Sequence, residues 1–363
     1  MKSRRVQIGG VIVCMSLLLV LVAGCVAPAP ATQAPAPTQA APVATAAPAA
    51  TTAPAAKPVK VALILPGRAD DVSWNQAAYD GMQRAVKSAK VPVELKVVEQ
   101  VYDPVSIEPA LRDYAQQGYD LIVGHGFQFQ EPIIKVAPEF PKAHFAIGTG
   151  YKVAENVGVY DVKMEQGGYL AGIIAGYLTQ TKLIGAVGGV DVSEIHRGHV
   201  AFMQGVKSVN PDAKVVNNFV GDFNDLAGAK EAALSQMKAG ADIVWQSGDG
   251  IGIAVLGACK EQGKLCFGNI AEQTSLAPDS VISSFVYDWA PVFGQMIDEI
   301  GANQFGNKHY WIEFANKGVS FAFNDAVKSK IPAEALTKFE ATQKQFEAGT
   351  LDLGDLDSVK LEE

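Results

Sequence analysis

Residues 70–81 read DDVSWNQAAYDG and follow a strand-like run, KVALIL, that ends at Leu65. From Asp70 to Gln76 the chain places two carboxylates, an indole and two carboxamides, just where a helix pattern begins. A carboxylate accepts hydrogen bonds from ring or amino N–H groups, an Asn amide donates and accepts at once, and an indole offers a face for stacking. Asp71, Ser73, Trp74 and Asn75 therefore suit a small, flat, neutral ring, with Asp71 and Asn75 at its edges and Trp74 on its face. The same stretch is also a good helix start. Ser73 is placed to cap a helix beginning at Trp74, with Gln76 three residues on as in a capping box.

Other strand ends carry similar groups. GHGF at 124–127, with Gly126 and Phe127, follows the third strand. Asp222 and Phe223 follow VVNNFV, Trp245 ends its strand with Asp249 just beyond, and Trp289 follows VISSFVYD. Each aromatic alone is as readily core as site; several at one topological edge are harder to assign to packing. Stacking contributes about 1–3 kcal/mol per base and a charge-assisted hydrogen bond about 1.5–3. Two of each, less ordering costs, leave roughly −8 kcal/mol, a micromolar affinity.

Enzyme signatures are missing. The sequence has no GxSxG elbow, no GxxxxGK[ST] phosphate loop, no HExxH and no zinc-type cysteine pairs, so no catalytic residue, cofactor or metal is expected. SGDGIGI at 247–253 resembles a dinucleotide fingerprint, but Ile253 stands where the third glycine is needed. It reads instead as a turn that lets a helix N-terminus approach something closely. His196 and His199 share a helix face without carboxylates at ligand spacing, and read as solvated or capping residues. Cys259 and Cys266 frame a helix end and a strand start; a disulfide and a pair of buried free thiols remain equally open.

Positioning such groups takes a scaffold, and the pattern supplies one. From residue 59, VKVALIL, VELKVV, DLIVG and HFAIG alternate with helical segments near 74–90, 104–117 and 131–140. LIGAVGG, AKVVNNFV, ADIVWQ and LCFGNI do the same with helices near 165–180, 193–209, 224–239 and 250–263. Such alternation predicts parallel sheets with helices on both faces. The expected fold is α/β, two doubly wound parallel-sheet lobes joined by hinge strands. Residues 58–160 plus about 284–318 form one lobe, and 161–283 plus about 319–363 the other. The helix after Val157–Val162 carries Gly168, Gly172 and Gly176 on one face, a spacing for close packing. Ligands of open α/β sheets lie outside the carboxyl ends of the strands, and two facing lobes can share one cleft there.

The first 57 residues stand apart. Lys2, Arg4 and Arg5 precede an apolar run of 13 residues, Val11–Ala23. That is short of the roughly 20 residues needed to cross a bilayer, so it reads as a signal peptide over 1–25. It ends in LVAGC, which resembles a lipobox and implies cleavage and lipidation at Cys25. Residues 26–57 are almost only Ala, Pro, Thr, Val and Gln, an extended tether. Four of the 30 Lys and Arg but none of the 38 Asp and Glu fall before residue 58, which leaves the body 26 basic against 38 acidic residues, net −12. So acidic a body is a poor partner for nucleic acid or an anionic bilayer.

Lipobox, Pro/Ala tether, two α/β lobes, DxSWN, GHGF and the inter-lobe segment GGYLAGIIAGYL together make residues 58–325 resemble the basic membrane protein (BMP) family. Its members are solute-binding lipoproteins of ABC importers, typified by the purine nucleoside receptor. The resemblance implies a type I periplasmic-binding-protein fold and capture of a purine nucleoside or base between the lobes. The family's base-contacting Asp-x-Ser-Phe-Asn is matched by Asp71, Ser73, Trp74 and Asn75, with Trp for Phe. Its Gly-x-Gly-Phe is matched by Gly124, Gly126 and Phe127. Its Asp-rich, ribose-holding strand end is replaced by GNIAEQ, with Asn269, Glu272 and Gln273. Its Lys after a Ser-Val-Val-like strand is replaced by Tyr287, Asp288 and Trp289. These departures leave the ribose clamp without its usual residues and keep a base or another flat heterocycle open. SEIHRG, with Glu194 and Arg197, resembles a branch of the family in which it implies an interlobe or ligand-edge contact.

The expected ligand-binding set is thus Asp71, Ser73, Trp74, Asn75, Gly126, Phe127, Phe223, Trp245, Asp249, Glu272 and Trp289. The expected protein is a non-enzymatic monomer on the extracytoplasmic face of the cell membrane, held by lipid alone and partnered by an ABC permease and ATPase. A ligand sensor for a signalling partner and a sugar binder of the same fold remain open alternatives.

Overall fold

The computed structural model describes residues 57–361. The signal peptide, Cys25 and the tether up to residue 56 lie outside the described residues.

The first block runs β1 (Val59–Ile64), α1 (Trp74–Ser88), β2 (Val93–Val98), α2 (Pro104–Gln116), β3 (Leu121–Gly124), α3 (Gln130–Val136), β4 (His144–Gly148) and β5 (Val157–Val162). The second runs α4 (Met164–Leu178), β6 (Leu183–Gly188), α5 (Ser193–Val209), β7 (Lys214–Phe219), α6 (Leu226–Lys238), β8 (Ile243–Ser247), α7 (Gly250–Gln262), β9 (Leu265–Ile270) and β10 (Val281–Tyr287). The chain then adds α8 (Ala290–Gly301) and β11 (His309–Ile312), and finishes with β12 (Val319–Phe323), α9 (Asp325–Lys328) and α10 (Ala333–Glu347). The sequence pattern anticipated the elements from β1 to β10 within a few residues; the single-turn α9, capped by the Asn324 side chain, is too short to show a period.

Two six-stranded sheets result, ordered β2-β1-β3-β4-β5-β11 and β7-β6-β8-β9-β10-β12. Every pair is parallel except β10 with β12. The central strands β3 and β8 are buried along their whole length, which explains their continuous apolar runs. Edge strand β2 instead alternates, exposing Glu94 and Lys96. In each sheet the order reverses at one place, between β1 and β3 and between β6 and β8. The loops at those switch points are where a doubly wound sheet leaves a crevice.

The chain passes between the sheets three times, after β5, after β10 and after β11. The passages are tied side by side: Lys163 N–H donates to Ile312 O at 2.9 Å and Asp288 N–H to Gly318 O at 2.7 Å. Tyr160, Met164, Tyr287, Trp289, Ile312 and Phe314 are buried around them in one apolar cluster that reaches both sheets. Behind, α4 lies against α5 at backbone distance. A Cβ on Gly168, Gly172 or Gly176 would run into the carbonyl oxygens of Gly198, Phe202 or Val206, so the four-residue glycine spacing serves helix packing. No helix among the described residues is long and apolar enough to cross a membrane.

Candidate functional site

The DxSWN stretch folds around Asp71. Its Oδ1 accepts the N–H groups of Ser73 (2.9 Å) and Gln76 (3.0 Å). Its Oδ2 accepts the backbone N–H of Asn75 (3.0 Å) and the side-chain Nδ2 of Asn75 (2.7 Å). Asp71, not Ser73, therefore satisfies the free donors at the start of α1. Ser73 occupies the N-cap position, but its buried hydroxyl has no partner. Gln76 reaches back to Val72 N–H at 3.1 Å, a displaced form of the expected capping box. With Nδ2 on Asp71 and Oδ1 accepting Gly67 N–H at 3.0 Å, the Asn75 amide is fixed in orientation.

These loops open on a cavity of about 350 Å³ between the lobes, at both switch points. Of the expected set, Trp74, Asn75, Gly126, Phe127, Phe223 and Asp249 line it. Trp74 stacks on buried His125, 4.2 Å between centroids and 17° between planes, and donates its indole N–H to the His125 carbonyl at 3.3 Å. Phe127 and Phe223 meet from opposite lobes at 6.1 Å and 52°. A ring sandwiched between two others needs roughly 7 Å, twice a 3.5 Å contact, so in this geometry the pair closes over the cavity. Tyr102 of the first lobe and Asn224 of the second line the same mouth.

Five of the expected residues are placed elsewhere. Asp71 and Ser73 stand behind Asn75, turned toward the helix start. Trp245 is mid-strand in β8; its ring points to α5 and stacks on Phe202 at 4.9 Å and 14°, inside the core. Trp289, fully buried at the start of α8, packs edge-on to Trp74, His125 and Tyr160. Glu272 is exposed and turns back to accept Thr274 N–H at 2.8 Å. Cys259 and Cys266 are buried free thiols. Burial pushes the Cys266 thiol well up.

Two lining residues absent from the expected set matter more. Asn269, at the end of β9, is 1 % exposed; neither its Nδ2 nor its Oδ1 makes a well-formed hydrogen bond in the protein, and the Tyr287 hydroxyl is the side-chain group that approaches it. A buried amide with a free donor and a free acceptor is costly unless something pairs with it. Glu194, in the first turn of α5, is 8 % exposed and also lines the cavity. Its carboxyl is held well above the ordinary range by burial and by Asp161, against the pull of Arg197. Asp249 is raised likewise, by burial and then by Asp71. The family resemblance drew attention to both, Asn269 in GNIAEQ and Glu194 in SEIHRG, without placing either in the expected set.

The backbone is strained here as well. Thr149 (φ 50°) and Ile270 (φ 71°), both in the cavity wall, and Val72 (φ 56°) beside it are β-branched residues in the left-handed region. Such residues are rare there, and strain of this kind gathers at binding sites.

The histidines serve the frame. His125 bonds the Tyr160 hydroxyl at 2.7 Å, and burial lowers it to about 3. His199 bonds Asn217 Oδ1 and Ser247 Oγ, and burial lowers it to about 4. His196 bonds Asp191 and the Val359 carbonyl. Among the described residues no group of three or more His, Cys, Asp or Glu could hold a metal ion.

Glu194 gives a pH prediction. Its folded pKa lies above its unfolded one, so its contribution to stability is complete below the ordinary carboxylate range. That contribution is lost as pH rises toward the folded value. Glu194→Gln should therefore gain stability over the wild type progressively from pH 5 to pH 8 in urea unfolding. His125 and His199 destabilise both proteins equally at low pH and cancel in the difference. A constant difference across that range would refute the assignment.

A family model described as PnrA-like ABC transporter substrate-binding protein, Bmp, matches residues 58–347. The chain is 30% identical over 235 residues to a purine-binding protein of Brucella abortus, 65% of this chain and 67% of that one. It is 30% identical over 207 residues to the ABC transporter nucleoside-binding protein BmpA of Lactococcus lactis, 56% of this chain and 58% of that one. A solved ABC transporter solute-binding protein from Conexibacter woesei superposes with a TM-score of 0.65 at 27% identity, covering 82% of this chain and 99% of that one.

Proposed function

Because the chain belongs to the Bmp family of PnrA-like ABC transporter substrate-binding proteins, we propose that it captures a purine base or purine nucleoside in the interlobe cavity and delivers it to an ABC permease. The family binds solutes and is not a family of enzymes. The observation that carries the ligand reading is the buried, unpartnered amide of Asn269 in an aromatic-walled cavity. One donor and one acceptor side by side match the N–H and C=O, or amino and ring N, of a purine edge. Trp74, Phe127 and Phe223 supply apolar faces, while Glu194 and Asp249 can accept further N–H groups. Similarity to a purine-binding and a nucleoside-binding relative supports the same class.

Adenosine, guanosine, inosine, adenine, hypoxanthine and xanthine, each added to protein stripped of co-purified ligand, test the reading. A ligand at 100 times its dissociation constant should stabilise the protein by about 2.7 kcal/mol, raising the melting temperature by roughly 5–10 °C. No shift with all six, or a shift with ribose or galactose instead, overturns it.

We further read the chain as lipid-anchored through Cys25 on the extracytoplasmic face, from the LVAGC site and the tether that follows. Cys25→Ser should move the protein from the membrane to the soluble fraction, read by fractionation. Retention in the membrane would defeat the anchor.

A further inference from the structure

We propose that Glu194 gives up a proton as the cavity fills, so that ligand affinity rises with pH. The inference rests on the capture reading above.

The charge count at the hinge is the starting observation. Three carboxyls meet where the chain leaves β5: Asp161 at the strand end, Glu165 in the first turn of α4 and Glu194 in the first turn of α5. Two cations face them. Arg197 Nη2 bonds Asp161 at 3.1 Å and its Nε bonds Glu165 at 3.3 Å, while Lys163 lies 3.7 Å from Glu165. Arg197 is committed further, to Ser193 Oγ at 2.6 Å and to Trp311, whose ring centre is 5.5 Å away. Asp357 acts on Arg197 from the C-terminal segment, one more acid for the same cation. Glu194 is thus the carboxyl to which neither cation is bonded, and it is the one in the cavity wall.

Arg68, the cation in the cavity wall, is exposed and paired with Asp70 at 2.7 Å, and the groups that face Glu194 carry no positive charge. Asp249 faces it from the start of α7 and the Tyr287 hydroxyl from β10. Asn269, neutral, lines the same cavity from β9. His196 of the same helix pairs at 2.9 Å with Asp191 of the preceding loop, which is exposed. With the cavity empty, Glu194 keeps a proton, because an ionised carboxylate there would be buried beside acids.

A ring N–H delivered into the cavity changes this balance. A hydrogen bond to an ionised acceptor is about twice as strong as one to a neutral acceptor. The N-terminal turn of a 17-residue helix also favours negative charge. The exchange is simple: protonated protein plus ligand gives the complex plus one proton released to solvent, with no covalent bond changed in the ligand. Affinity then rises by up to about tenfold per pH unit while the empty protein keeps the proton.

Isothermal titration with guanosine and with hypoxanthine, in phosphate and in Tris across pH 6–8, counts the protons. The wild type should release a proton on binding and bind more tightly as pH rises. Glu194→Gln should bind with pH-independent affinity and release none. Asp249→Asn, whatever its affinity, should still release one. Wild-type binding without proton release overturns the proposal, as does release that survives Glu194→Gln and vanishes in Asp249→Asn. Absence of binding by either probe to the wild type defeats the capture reading itself, and this inference with it.

Discussion

Asn269→Leu should abolish most purine binding while leaving the empty protein at least as stable as the wild type. The amide at the end of β9 makes no well-formed hydrogen bond in the protein, with only the Tyr287 hydroxyl approaching it, so its removal costs the frame little. Leucine fits a buried site of similar shape without a polar group to satisfy. The ligand edge it was to meet would instead lie against a methyl group, with a donor and an acceptor left unpaired. Each such group costs about 1–3 kcal/mol, so a loss of about 2–4 kcal/mol is expected, roughly 30- to 700-fold in dissociation constant. Titration measures the affinity, and thermal unfolding of the empty protein measures the stability. An Asn269→Leu protein that melts several degrees lower yet binds purine as before would show that the amide serves the frame and not the ligand.

The sequence was most legible where periodicity carries the signal. Alternating apolar runs located nearly every strand and helix, because burial on two faces or on one stripe leaves a pattern that needs no neighbour to interpret. The site was legible only by position. Strand-end residues of β1, β3, β7 and β8 do converge, because the switch points of both sheets face one cleft. What each side chain does there depends on parity and reach. Trp245 looked like Trp74, an indole at a strand end, but it sits within β8 and alternation turns it toward α5. Trp289 heads a helix that folds back onto the first sheet, so its ring fills the space between passages. Glu272 lies two residues past β9 and is claimed by the turn that follows. The left-handed conformations of Thr149 and Ile270 are invisible in sequence, since β-branched residues ordinarily argue against them. Asn269 was visible as a polar residue closing an apolar strand. Only its lack of a partner, a property of the fold, distinguishes it from any other strand-end amide.

Asp71→Ala separates two roles that one short motif can play. A carboxylate that met the ligand directly would be dispensable to the empty protein, and its loss would weaken binding without changing the melting temperature. The observed carboxylate accepts four N–H groups, three from the backbone at the start of α1 and one from the Asn75 side chain. Loss of such a cap costs about 2 kcal/mol at the upper end of measured cases. The melting temperature should then fall by roughly 4–8 °C. Binding should weaken too, by about tenfold, the order of one hydrogen bond, because the Asn75 amide loses the partner that fixes its orientation in the cavity wall. Asp71→Asn sharpens the test. Its amide oxygen can keep the bonds to Ser73 and Gln76, but its NH₂ would face the two donors of Asn75. It should therefore recover part of the stability and little of the affinity. A loss of binding with the melting temperature unmoved would return Asp71 to direct ligand contact, with the lobes closing differently around the purine.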